Sequence, residues 1–205
     1  MPTPLASIEH GKDSIWGNDV ELKPGKKILL NASSGKGKST FTTTIFGLRR
    51  DYTGTLSYDD KDIRNLTVDD WTKIRMEQIS VVFQDLQLFP KLTVQENLIL
   101  KNSLTDTFTE KEIKTLLERL EIDNKWNQQC GLLSMGQQQR VAIIRALAQP
   151  YSWLIMDEPF SHLDEGNTQR CLKMLDERTT DLNASFVLTT LGDHHSFKFD
   201  QELNL

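Results

Sequence analysis

The chain has 205 residues, enough for one substantial core or a core carrying a subdomain. Its net charge of −5, with acids and bases mixed along the chain, excludes a broad nucleic-acid footprint, which needs a concentrated basic face. No apolar run reaches membrane-spanning length, no basic-then-apolar leader opens the sequence, and Cys130 and Cys171 form no framework or metal pattern, so the expected setting is the reducing cytoplasm.

Residues before Pro24 read as short strands. Val20-Glu21-Leu22 alternates, and Lys23-Pro24-Gly25 turns the chain into the apolar strand Ile28-Leu29-Leu30. Next comes Ala32-Ser33-Ser34-Gly35-Lys36-Gly37-Lys38-Ser39-Thr40, followed by Phe41, Ile45 and Leu48 at helical spacing and a helix stop at Gly47. Strand, glycine-containing loop, Gly-Lys-Ser and helix are the context that a phosphate-binding P-loop requires. Backbone N–H groups of such a loop and of the helix N-terminus converge on phosphate oxygens. Gly35 and Gly37 let the backbone curl, Lys38 reaches the outer phosphates, and the Ser39 hydroxyl ligates Mg²⁺. The motif ordinarily opens with Gly, and Ala32 stands there; that is tolerable only where no positive φ is needed.

Tyr52 to Tyr58 suggests a further strand, and Asp59-Asp60-Lys61-Asp62 a polar turn. A short helix is expected from Val68 to Glu77. Ile79 to Phe83 is a β-branched strand with Gln84 at its end. Thr93 and Glu96 have capping-box spacing, so a helix starts at Thr93. A second helix runs from about Thr109 through Leu120, with Ile113, Leu116, Leu117 and Leu120 on one face. A third begins near Ser134 and ends by Gln149, before Pro150. The block 86–149 reads as an inserted helical subdomain within one domain spanning 1–205. Trp153 to Met156 is a buried strand ending in Asp157-Glu158-Pro159, and a helix follows from about Gly166 to Arg178. Ser185 to Thr190 is the last core strand; the tail from Gly192 is short, with alternating Phe197 and Phe199. Strands alternating with helices predict an α/β fold with a mainly parallel sheet, the early strands forming a separate antiparallel layer. Asp157, at the carboxyl end of a core strand, lies where such sheets place ligands.

In this order the motifs resemble the nucleotide-binding subunit of ABC transporters over nearly the whole chain. Gln84 matches the Q-loop glutamine. Leu133-Ser134-Met135-Gly136-Gln137 matches the signature Leu-Ser-Gly-Gly-Gln, with Met135 replacing a glycine. Asp157 and Glu158 match the Walker B aspartate and the adjacent glutamate, and Ser161-His162-Leu163-Asp164 the D-loop. The resemblance implies a P-loop NTPase fold and a Mg²⁺-dependent ATPase. Ser33, Ser34, Gly35, Lys36, Gly37, Lys38, Ser39 and Thr40 would hold ATP on one side, and Ser134, Gly136 and Gln137 of a second subunit on the other. Ser39, Gln84 and Asp157 would hold the metal, with Glu158, Lys38 and Gln84 catalytic. It implies a dimer, most simply of identical chains, around two ATP molecules, coupled to a membrane-spanning subunit on the inner face of the membrane and not to nucleic acid. The segment Leu86 to Asn97, with Leu88, Phe89 and Leu92, is similar to the part that meets that subunit, and these residues suit a subdomain core equally well. Its wording resembles small exporter-type cassettes of the lipoprotein-release and macrolide-efflux group, and amino-acid importers as well.

Two positions depart from the pattern. Trp16, an aromatic residue suited to adenine stacking, matches an apolar core position better, with His10 a weaker alternative. Leu191 occupies the slot of the switch histidine; His194 or His195 just after it would substitute if the loop is rearranged, and an ordinary surface pair is the expected reading. The alternative readings are a degenerate cassette that binds ATP and dimerises with little turnover, favoured by Ala32, Met135 and Leu191, and a soluble ABC ATPase outside transport. The latter would carry tandem cassettes, coiled-coil insertions or basic surfaces, none of which is visible.

Overall fold

The computed structural model describes residues 1–7, 9–31, 33, 35–192 and 194–205. Ile8, Ala32, Ser34 and Asp193 lie outside the described residues, and with them the departure at Ala32 and the phosphate contact expected of Ser34. The elements run β1 (Lys27–Asn31), α1 (Lys38–Ile45), β2 (Ser57–Tyr58), β3 (Lys61–Asp62), α2 (Val68–Glu77), β4 (Ile79–Val82), α3 (Val94–Asn102) and α4 (Glu110–Arg119). They continue with α5 (Met135–Leu147), β5 (Trp153–Asp157), α6 (Glu165–Asp181), β6 (Ser185–Thr190) and β7 (Gln201–Asn204). Five strands form one sheet in the order β4-β5-β6-β1-β7, every pair parallel, so all carboxyl ends point to the same edge.

The strands are apolar runs because helices cover both faces of the sheet. Period-2 alternation sorts their side chains. Ile28, Leu30, Ile155 and Val187 pack with Phe41 and Ile45 of α1 and Trp71 and Ile74 of α2. Leu29, Leu154, Met156, Phe186 and Leu188 pack on the opposite face with α5 and α6. The helices between β4 and β5 share that second cluster through Leu98, Ile113 and Leu117. Helix α5 is tied to the sheet as well: the Ser80 hydroxyl donates to the Ala146 carbonyl at 2.6 Å.

Helix starts follow their caps. Thr67, Thr93, Thr109 and Ser134 each form a reciprocal capping box, with Asp70, Glu96, Glu112 and Gln137 respectively. The expected helix over 68–77 and strand over 185–190 have these bounds in the structure.

The N-terminal expectation needs correction. No strand forms between residues 9 and 26 among the described residues; Val20 is exposed, and the segment meets the sheet through an isolated bridge from Ser14 to Asn204 and, at its end, through Gly25 and Lys26 bonded to Ser185 and Phe186. The Asn18 amide instead donates to the carbonyls of Lys12 and Ser14, holding residues 12–18 in local turns. Likewise only Ser57 and Tyr58 of the expected 52–58 strand are extended in a sheet. Lys61 and Asp62, expected in the turn, are the second strand of that antiparallel hairpin. The tail contributes a strand not expected from its polar composition, β7, beside β1. The alternating Phe197 and Phe199 pack on Phe186 with centroids 5.7 and 6.1 Å away.

Candidate active site

The loop after β1 returns to α1 through two residues in the left-handed region, Gly35 at φ 79° and Gly37 at φ 102°. A side chain at Gly37 is strained by that φ, and an added Cβ would also displace the Leu5 side chain, whose Cδ1 lies 2.6 Å from its position. Trp16 braces the same loop: its indole N–H donates to the Lys36 carbonyl at 3.2 Å, and its ring meets Phe41 edge-on at 6.4 Å. It packs against the α1 side of the core, as its apolar reading implied. His10 turns away, with Nε2 on the Leu5 carbonyl at 3.0 Å.

Lys38 opens α1 only 6% exposed, with Nζ 3.3 Å from the Ser33 carbonyl and 3.1 Å from Glu158 Oε1. The Ser39 hydroxyl donates to Gln84 Oε1 at 3.1 Å, joining the start of α1 to the end of β4. Asp157 ends β5 almost fully buried, 2% exposed. Burial pushes its pKa above the ordinary carboxylate value, opposed by the hydroxyls of Ser39 and Thr189 beside it. The Thr189 hydroxyl donates to Asp157 Oδ1 at 2.8 Å. Thr189 Oγ1 also lies 3.3 Å from the backbone N–H of Glu158. Glu158 itself stands at φ 49°, a left-handed turn that swings its carboxylate off the strand line toward Lys38. Thr189 was missed in the sequence, where it read only as a β-branched strand residue; its one available signal was its place at the end of the strand beside Walker B.

Thus Ser33, Lys38, Ser39, Gln84, Asp157 and Glu158 come together at one sheet edge. Lys36 and Thr40 are in the same loop and first turn, with the Lys36 ammonium on the Glu9 carbonyl. The signature residues do not join them. Ser134 caps α5, its N–H donating to Gln137 Oε1 at 3.0 Å. Gly136 lies against the D-loop, where an added Cβ would sit 2.6 Å from the His162 carbonyl oxygen. Met135 is 45% exposed beside them. Among the described residues no cluster of three or more His, Cys, Asp or Glu is set to hold a metal. The hydroxyl of Ser39, the Gln84 carbonyl and the Asp157 carboxylate still make a hard-oxygen set that fits Mg²⁺, which takes few protein ligands and fills the rest with phosphate and water. Leu191 is 62% exposed. His194 sits 3.5 Å from Glu202 Oε1, and the His195 ring lies edge-on against Phe160 at 5.2 Å.

A groove of about 1150 Å³ leads away from the site between the sheet and the helices. Ser39, Gln84 and Asp157 line one end, and Phe89, Leu100 and Leu104 belong to its wall. Phe89 is half exposed there, whereas Leu88 also packs on the core. Lys101, half-buried, has its pKa lowered by that burial and by Arg145.

A parallel sheet with a glycine-bearing loop, Lys-Ser and a buried carboxylate at its carboxyl edge defines a P-loop nucleoside triphosphatase. The family model described as ABC transporter matches residues 17–161. The chain is 32% identical over 188 residues to an uncharacterised ABC transporter ATP-binding protein of Mycobacterium tuberculosis, covering 90% of this chain and 76% of that one. It is 30% identical to the macrolide export ATP-binding/permease protein MacB of Syntrophobacter fumaroxidans, over 86% of this chain but 25% of that longer protein. Among solved structures, a dimeric bacterial ABC transporter cassette superposes with a TM-score of 0.79 at 28% identity, covering 90% of this chain and 84% of that one. A post-hydrolysis state of the same cassette, dimeric with ADP and Pi, gives a TM-score of 0.74 at 30% identity, covering 85% and 78%. The chain therefore belongs to the ABC transporter family, as an ATP-binding cassette. It is an ATPase subunit. Among the described residues no helix is long and apolar enough to cross a membrane.

Proposed function

We propose that two copies of this chain close head to tail around two Mg·ATP molecules and drive a separate membrane-spanning subunit from the inner face of the membrane. The observation that carries this reading is the convergence of Lys38, Ser39, Gln84, Asp157 and Glu158 at one strand edge. Ser33, Ser34, Gly35, Lys36, Gly37 and Thr40 cradle the phosphates through loop and helix N–H groups, and Lys38 adds a positive charge. Ser39, Gln84 and Asp157 are the ligand set for Mg²⁺, which when bound neutralises charge on the outer phosphate oxygens.

Glu158 is the general base for the attacking water. Its carboxylate is paired with Lys38, so γ-phosphate and Glu158 compete for one ammonium. Lys38 moving onto the phosphate leaves the carboxylate unpaired at the point where a proton must be accepted. Ser134, Gly136 and Gln137 of one chain complete the site of the other, using the N-terminus of α5 as an anion site. The block 86–149 is the helical subdomain in this reading, and the groove beside it takes a short apolar helix of the membrane subunit. Kinship with exporter-type cassettes of the macrolide-efflux group accords with the MacB similarity.

The test is Glu158→Gln, which keeps shape but removes the base. ATP binding should persist while steady-state turnover falls by about 10²–10⁴. Unchanged turnover would remove Glu158 from the mechanism. Exposed Leu191 in the switch slot favours a second reading, a cassette that binds and dimerises with little turnover. Turnover by the parent chain that Glu158→Gln abolishes decides against it.

A further inference from the structure

The D-loop carries a histidine whose ring is oriented by a buried partner. Gln139 on α5 is 2% exposed, and its Oε1 accepts the backbone N–H of His162 at 3.0 Å. A backbone N–H can only donate, so this bond fixes which way the amide points. The Gln139 Nε2 group therefore donates, and it lies 2.9 Å from Ser161 Oγ. Ser161 Oγ also lies 3.0 Å from His162 Nδ1, and the Gln139 Nε2 group, which can only donate, faces the same Nδ1 at 3.4 Å. Nδ1 is then the acceptor nitrogen, and the network assigns the ring proton to Nε2. His162 is exposed, so this Nε2–H faces outward from a ring fixed at its other nitrogen.

The position of that donor is set by Gly136. The His162 carbonyl packs so tightly on the Gly136 Cα that no Cβ fits between them. The D-loop and the N-terminus of α5 thus share one patch of surface, and whatever meets the signature residues meets His162 as well. The patch presents donors and the positive end of a 13-residue helix, which suits an anion. The other described histidines are engaged elsewhere: His10 with Leu5, His194 with Glu202, His195 against Phe160. The switch slot holds Leu191, which offers no hydrogen bond.

We propose that His162 donates its Nε2–H across the dimer to the γ-phosphate of the nucleotide held by the other chain's P-loop. The proposal rests on the two-chain reading above and assigns to the D-loop a contact that Leu191 cannot make. The step is a hydrogen bond, with no proton transferred by His162.

The test separates γ-phosphate contact from everything else. In the Glu158→Gln chain, which holds ATP without consuming it, dimerisation is titrated with Mg·ATP and followed by light scattering. The affinity of the single chain is measured separately with ADP, which lacks the γ-phosphate. Adding His162→Ala should leave ADP affinity and melting temperature unchanged while raising the ATP concentration for dimerisation by about 10- to 100-fold, the worth of a hydrogen bond to a charged group. His162→Gln, which keeps an N–H donor, should recover most of the loss. Equal weakening of ADP binding, or no change in either measurement, would overturn the proposal. Where the Glu158→Gln chain dimerises and His162→Ala leaves the titration unmoved, only the His162 assignment fails. Where Glu158→Gln does not dimerise with ATP at all, the two-chain reading fails and takes this proposal with it.

Discussion

At the scale of single residues, the site stores charge in an environment that disfavours it. Asp157 is buried, and its raised pKa means that ionisation at neutral pH costs folding stability. The sign follows: a carboxyl whose folded pKa lies above its unfolded value loses stability as pH rises from the unfolded toward the folded pKa. Asp157→Asn removes that cost. The isolated chain should melt higher than the parent at neutral pH, and the advantage should shrink as pH falls toward the ordinary carboxylate pKa near ~3.9. A gain of about 1 kcal/mol would read as roughly 2–4 °C. The same variant should lose Mg²⁺-dependent ATP affinity, and a melting temperature below the parent's at neutral pH would contradict the burial argument. Lys38, Ser39 and Asp157 were legible as chemistry because Gly-Lys-Ser and a strand-terminal Asp restrict what can stand there. Thr189 was not, since a threonine that orients a carboxylate has the same sequence signature as a threonine that fills a strand. His194 stands three residues past the switch slot. Its exposure and its Glu202 neighbour leave it outside the convergent group, and His194→Ala should leave turnover close to the parent's.

At the scale of elements, tight backbone approach matters as much as side-chain chemistry. Helix α5 meets the D-loop at Gly136, where a methyl group would stand 2.6 Å from a backbone oxygen. Gly136→Ala must push the D-loop away, at a cost of about 1–3 kcal/mol for an overpacked contact. Thermal melting should detect that loss, and ATP-driven dimerisation should weaken along with it, because two pieces of one surface patch move apart. A variant with parental stability and dimerisation would show that the loop yields freely there. The capping boxes explain why helix starts were readable: Thr93 with Glu96 and Ser134 with Gln137 are local signals that the tertiary fold has no reason to override. The short early strands failed for the opposite reason. A strand of three residues has no local signal stronger than its partners, and the stretch before it is held in turns by the Asn18 amide on the carbonyls of Lys12 and Ser14. Strand β7 is the mirror case, since Gln201-Glu202-Leu203-Asn204 is a strand only because the edge of β1 is there to pair with.

At the scale of the whole molecule, the P-loop residues and the signature residues do not meet within one chain. The P-loop, Gln84 and Walker B residues gather at one sheet edge, while the signature turns to the D-loop instead. Sequence order exposed both groups, but the distance between them is a tertiary property that no spacing rule supplies. The groove toward Phe89 and Leu104 adds a third surface, and Leu104→Glu should abolish co-purification with the membrane subunit while the chain still binds ATP. Recovery of the complex at parental yield would place the docking surface elsewhere. Hydrolysis in the proposed function belongs to a pair of chains. That dependence is tested most directly by the specific ATPase activity of the purified chain across a wide dilution series. The account predicts activity per chain that rises steeply with concentration and levels off as dimers form at saturating Mg·ATP. Activity per chain that stays constant down to dilutions where only the 23.5 kDa monomer exists, or that is absent at every concentration, would contradict it.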